Sequence, residues 1–146
     1  MSAIRKAIVA EAISWINTPF HHAARVKGAG VDCANLLVAV FAAVGLVPDV
    51  LLEHYPPDWH LHRDEGRFLA VLSQYADPLP AGESPLPGDI AMFTYGRQAA
   101  HGAIVVGWPV VCHAWRDVGN VVLTEADNGP LGKRFAGFYR VRGVAL

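Results

Sequence analysis

Three side chains fit for nucleophilic catalysis stand where regular elements would present them: Cys33, His101 and His113. Cys33 follows Asp32, a good helix N-cap, and would be the first residue of its helix. There, unpaired backbone N–H groups and the positive end of the helix dipole favour a thiolate. The competing reading is a small core residue, since free Cys is often buried. The two histidines favour chemistry. A hairpin centred on Gly107 sets His101 and His113 directly opposite one another, on one face, roughly 5 Å apart at Cβ. One imidazole then takes the thiol proton and the second orients the first. A slip of one residue would put them on different faces and leave two unrelated polar residues on sheet edges. Strand alternation sends Cys112 to the face away from His113, as a core residue.

The elements that must hold these groups are legible in outline. Ile4, Ile8, Ala12 and Trp15 recur at helical spacing, and Thr18-Pro19 ends that helix. Phe20–Val31 reads as a loop. A second helix runs from Cys33 to about Val44, stopped by Gly45, and is apolar nearly all round, hence buried. Residues 48–63 read as a long loop rich in Pro, His and aromatics. Asp64 caps a third helix whose inner face carries Phe68, Leu69, Leu72 and Tyr75. A Pro-rich linker, 78–87, leads through Gly88-Asp89 to a strand over Ile90–Tyr95. Further strands follow over His101–Gly107, Pro109–Trp115, Val121–Glu125 and Phe135–Val141. Helices followed by consecutive antiparallel strands predict an α+β fold in a single domain, 1–146.

Composition narrows the classes. The chain has 146 residues, and 53% hydrophobic against 17% charged residues is enough to build a core. A net charge of −1 argues against a general nucleic-acid partner. No apolar run is long enough to span a bilayer, so no membrane partner is expected. Arg5 and Lys6 resemble the start of an export signal, but Glu11 interrupts the apolar run and no cleavage site follows. The expected place of synthesis is therefore cytoplasmic, with free thiols rather than a Cys33–Cys112 bridge. The segment with His54, His60 and His62 has no two His at i, i+4 and no nearby Cys, so no metal and no cofactor are expected.

In order along the chain come Thr18-Pro19-Phe20, Lys27-Gly28-Ala29-Gly30-Val31, Asp32-Cys33-Ala34-Asn35-Leu36, Pro87-Gly88-Asp89-Ile90, His101-Gly102-Ala103-Ile104-Val105-Val106 and Val111-Cys112-His113-Ala114-Trp115. Together they resemble the NlpC/P60 cysteine peptidases, and in particular their phage-tail and gene-transfer-agent type branch. The resemblance implies a papain-like α+β fold, with a Cys-bearing helix packed on an antiparallel sheet. It implies Cys33 as nucleophile, His101 as general base and acid, and His113 as the orienting residue. Backbone N–H groups at the helix start, that of Cys33 included, would hold the oxyanion. The implied substrate is a peptidoglycan stem peptide, cut between D-γ-glutamate and a diamino acid. Phage tail proteins are the implied partners and a virion tail the implied destination.

The sequence departs from the family pattern at two places. Ala34-Asn35 replaces Ser-Gly after the Cys, and Phe20 replaces the tyrosine of Pro-Tyr. Both bear on substrate and activity more than on fold. Candidate substrate contacts are Phe20, His21, His22, Asp32, Ala34, Trp59 and Ala100, with Trp59 as an aromatic wall. Arg25 and Lys27 would attract a carboxylate-rich peptide or simply be solvated. Two other classes stay open: a non-catalytic tail component that keeps the fold as scaffold, and a thiol acyltransferase or thioesterase using the same three residues.

Overall fold

Helix α1 (Ala3–Ile13) starts where Ser2 accepts the Arg5 N–H, and it buries Ile8 and Ala12 along one stripe. The computed structural model describes residues 1–52, 67–95 and 98–144. Trp59, the three histidines of its segment and Asp64 lie outside the described residues. After α1 the chain makes a small hairpin of β1 (Arg25–Val26) and β2 (Gly30–Val31), within the segment expected to be plain loop. Helix α2 (Cys33–Ala43) follows at once. Asp32 caps it as expected, accepting the Asn35 N–H at 2.9 Å, and Gly45 turns the chain away at φ 81°. Leu36, Leu37, Val40 and Phe41 of α2 are buried. Each fully buried side chain of this size stabilises the fold by about 1.5–3 kcal/mol.

Helix α3 (Arg67–Ser73) places Phe68 and Leu72 in the core. Strand β3 (Ala76–Pro78) then joins the sheet, in a stretch expected to be the end of a helix and the start of a linker. Strands β4 (Ile90–Tyr95), β5 (Gln98–Gly107), β6 (Val110–Trp115), β7 (Asn120–Glu125) and β8 (Phe135–Val141) fall within a few residues of their expected places. A one-turn helix, α4 (Gly129–Gly132), precedes β8. The six strands form one antiparallel sheet in the order β3-β8-β4-β5-β6-β7. The fold is α+β.

The sheet has two apolar faces. α1, α2 and α3 cover one, packing Ile8, Leu36 and Phe68 against Ile90, Met92, Ile104 and Cys112. The other buries Ala91, Phe93, Ala103, Val105 and Val111 under Ala126 and Leu131. Gly102 sets how closely α2 lies on β5. A Cβ at this position would come 2.8 Å from Leu37 Cδ1, 3.1 Å from Phe68 Cζ and 3.3 Å from Met92 Sδ. Among the described residues, no helix is long and apolar enough to cross a membrane.

Candidate active site

The start of α2 is fixed by a network around Asp32. Its Oδ1 accepts from the Asn35 backbone N–H and from Asn35 Nδ2, at 2.9 and 3.0 Å. Its Oδ2 accepts the Ala23 N–H at 2.8 Å, and Ala23 is held at φ 62°, a left-handed conformation costing about 1–2 kcal/mol. Asn35 is buried rather than clashing where a glycine was the expected fit. Its Oδ1 accepts from Arg25 Nε at 2.9 Å, and Arg25 reaches on to Asp49 Oδ1 and the Val50 carbonyl, each at 2.6 Å. The Asn at this position thus ties the helix start to β1 and to the segment after α2. Asp32, 3% exposed, is engaged with protein groups through both carboxylate oxygens.

Cys33 is partly exposed and carries a free thiol. Backbone N–H groups of Gly102, Ala34 and Cys33 itself reach the sulfur. They would favour the thiolate, as the helix-start argument anticipates, but they do not prevail. Burial, and next the negative charge of Asp32, push the thiol up to about 12. The expected depressed thiol is corrected to a raised one. The Gly102 contact also sets the sulfur beside the residue that follows His101.

His101 and His113 are brought together as expected, by a different register. Ile104 faces Cys112 and Val105 faces Val111, so the same register places Ala103, not His101, opposite His113. The turn lies past Gly107, with a bulge between Val105 and Gly107. The offset is an even number of residues, so both histidines keep the same face and become diagonal neighbours. His101 Nε2 and His113 Nδ1 are 2.7 Å apart. His113 Nε2 lies 2.9 Å from Thr124 Oγ1, on β7. The His113 ring stacks on Trp115, and His101 meets the rings of Tyr95 and Phe93 at 5.7 and 6.0 Å. Burial among these rings lowers His101 to about 4. Burial and the neighbouring His101 lower His113 to about 2.

Of the other candidates, Phe20 is half-buried against the helix-side core, its N–H donating to the Gly119 carbonyl. His21 is exposed and its Nδ1 contacts the His22 carbonyl at 3.1 Å, while His22 is half-buried. The Ala34 side chain is buried in the core and only its backbone N–H addresses the thiol. Ala100 is the extra residue of the bulge between the pairs Phe93–His101 and Thr94–Ala99. Cys112 is fully buried, as expected, and its Sγ donates to the Ala12 carbonyl. Thr124, Gly102, Tyr95 and Trp115 were not singled out from the sequence. Thr124 had no signal of its own in the sequence: only the β6–β7 register puts it on the face shared with His113. An apolar cavity of about 470 Å³ lies elsewhere, between α2 and α3, and none of Cys33, His101 and His113 lines it.

No family model matches the chain, and no curated protein matches it. Solved structures do match. An NlpC/P60 family protein from Bacillus cereus superposes with a TM-score of 0.69 at 17% identity, over 93% of this chain and 39% of that one. The peptidoglycan hydrolase RipB from Mycobacterium tuberculosis superposes at 0.63 and 16% identity, over 98% and 66%. An N-acetylmuramoyl-L-alanine amidase from Bacteroides uniformis superposes at 0.60 and 15% identity, over 96% and 99%. The chain spans less than half the length of the first of these. At such identities the likeness establishes the fold, which is that of NlpC/P60 proteins.

Proposed function

We propose that the chain is a cysteine peptidase acting on peptidoglycan stem peptides, at the bond between D-γ-glutamate and a diamino acid. The observation that carries this reading is the pair of imidazoles 2.7 Å apart, with the Cys33 thiol held at the N–H of Gly102, the residue next to His101. The named activities of structures sharing the fold, a peptidoglycan hydrolase and an amidase among them, support the substrate class.

With both groups neutral at rest, the chemistry is general-base assisted. His101 Nδ1 takes the thiol proton as Sγ attacks the carbonyl carbon, and the oxyanion forms against N–H groups at the start of α2. His101, now imidazolium, returns the proton to the leaving amine as the C–N bond breaks. A thioester remains on Cys33. Water, deprotonated by His101, attacks it and releases the acid and the free thiol. His113 holds the His101 ring in place throughout.

Mass spectrometry of purified muropeptides, incubated with wild type and with Cys33→Ala, tests this. Cleavage at the γ-glutamyl–diamino acid bond by wild type alone is the expected result. Cleavage between muramic acid and L-alanine would reassign the bond to an amidase and keep the thiol mechanism. Turnover by Cys33→Ala equal to wild type would sink the mechanism. We further propose delivery by a phage tail, which co-assembly with tail proteins would test; a chain that never enters such assemblies acts elsewhere.

A further inference from the structure

We infer that Thr124 is a positioning residue of this site: its hydroxyl oxygen accepts a hydrogen bond from His113 Nε2–H and so supports the tautomers that leave His101 Nδ1 bare. The inference rests on the reading of His101 as base. The chain of contacts runs His101, His113, Thr124, with the Cys33 sulfur held at Gly102 beside its first member, and each link has one polarity that works.

The sulfur of Cys33 is met by three backbone N–H donors, those of Gly102, Ala34 and Cys33. Its own proton must therefore leave toward an acceptor, and the base must offer a bare ring nitrogen. His101 Nε2 is committed to His113 Nδ1 at 2.7 Å, so the nitrogen left to face the thiol is Nδ1. A neutral imidazole bare at Nδ1 carries its proton on Nε2 and donates it to His113 Nδ1. His113 must then be bare at Nδ1 and protonated at Nε2. That N–H points at Thr124 Oγ1, 2.9 Å away. The opposite polarity, with the threonine donating inward, reverses every link and puts a proton on His101 Nδ1, where it blocks transfer from the thiol. Because a hydroxyl rotates, Thr124 permits either polarity at its own link. A side chain unable to accept would remove the working one.

Thr124 sits on β7 opposite Val111, diagonal to His113, whose direct partner is Val122. Strand pairing rather than a loop therefore sets its distance. When His101 becomes imidazolium, the Nε2–H bond to His113 strengthens, and His113 remains neutral because both its nitrogens are already matched.

The test reads the tautomer directly, by long-range ¹H–¹⁵N correlation of the imidazoles at pH 7, together with the rate of Cys33 alkylation by iodoacetamide. In wild type, His113 should carry its proton on Nε2 and His101 should be bare at Nδ1. Thr124→Val should populate the Nδ1–H form of His113 and slow Cys33 alkylation about tenfold, the loss expected from one hydrogen bond. Thr124→Ser should restore the wild-type tautomer and a rate within about threefold of wild type. A wild-type His113 protonated at Nδ1 overturns the inference without any variant. So does a Thr124→Val protein with unchanged tautomer and rate. Failure of the underlying reading looks different: Cys33 alkylation would be the same in wild type and His101→Gln, whatever the tautomer spectrum shows.

Discussion

Burial opposes charge on both Cys33 and His101, raising the thiol to about 12 and lowering the imidazole to about 4, so at pH 7 both are neutral. Two outcomes follow for these residues. In the proposed mechanism only protonated His101 is unable to act as base, so turnover and Cys33 alkylation should persist down to about pH 5. They should fall as pH drops through about 4, rather than near the 6.5 of an ordinary histidine. A pH series of iodoacetamide rates, with the modified residue identified by peptide mass, measures the midpoint directly. If His101 is removed, the proposed mechanism loses its base: His101→Gln should lower muropeptide turnover by roughly 100-fold or more. The same variant should leave alkylation of Cys112 at its low wild-type rate, since that thiol is fully buried and bonded to the Ala12 carbonyl.

Helix α2 and strand β5 approach as closely as they do because Gly102 has no side chain, and that approach brings the thiol to the Gly102 N–H. Gly102→Ala should cost about 1–3 kcal/mol of stability, the usual penalty for overpacking. It should also slow Cys33 alkylation, because the Leu37 side chain of α2 must give way beside the strand that carries His101. Gly107→Ala, where an added Cβ meets nothing within 4 Å, serves as the control and should change neither urea midpoint nor rate. At this scale the sequence was informative where a local signal exists. Asp32 and Gly45 bound α2, and alternation with Gly and Pro marks β4 to β8 to within a few residues. Register was not legible, because bulges beside Phe93 and beyond Val105 shift the pairing and depend on contacts from distant strands. Ala76-Asp77-Pro78 has no alternation to mark it, and it becomes a strand only because β8 returns beside it. For the site, Cys33, His101 and His113 were readable by type and spacing. Thr124 and Gly102 gain meaning only once the strands are paired.

Across the whole molecule, a buried ion cluster ties the N-terminal helix to the sheet. Asp89, fully buried, accepts from Arg5 Nη1 at 3.1 Å and from Arg140 Nε and Nη2 at 2.9 and 2.8 Å, joining α1 to β4 and β8. Asp89→Ala leaves a buried guanidinium without its partner and should destabilise the fold by about 3–5 kcal/mol in urea unfolding. The cluster and the paired histidines set a common acid sensitivity. In the unfolded chain the histidines bind protons near 6.5, but in the folded chain only at about 4 and about 2. Stability should therefore fall as pH decreases below 6.5. Asp89 is held below its ordinary 3.8 despite burial, because Arg140, the Leu86 N–H and Arg5 bond to its charged form. Its contribution is present above that value and is lost below it. Urea midpoints at pH 7, 5 and 4 should decline in that order, and replacing both histidines by glutamine should flatten the series. The order of elements has one more consequence. The thiol lies before the exposed stretch Ala81–Ser84, and both imidazoles lie after it. A single nick in that stretch would divide Cys33 from both imidazoles, the proposed nucleophile from the proposed base, without removing any residue of the site. The nicked protein would behave as a heterodimer of complementary halves, inactive apart, whose specific activity drops on dilution as the halves dissociate.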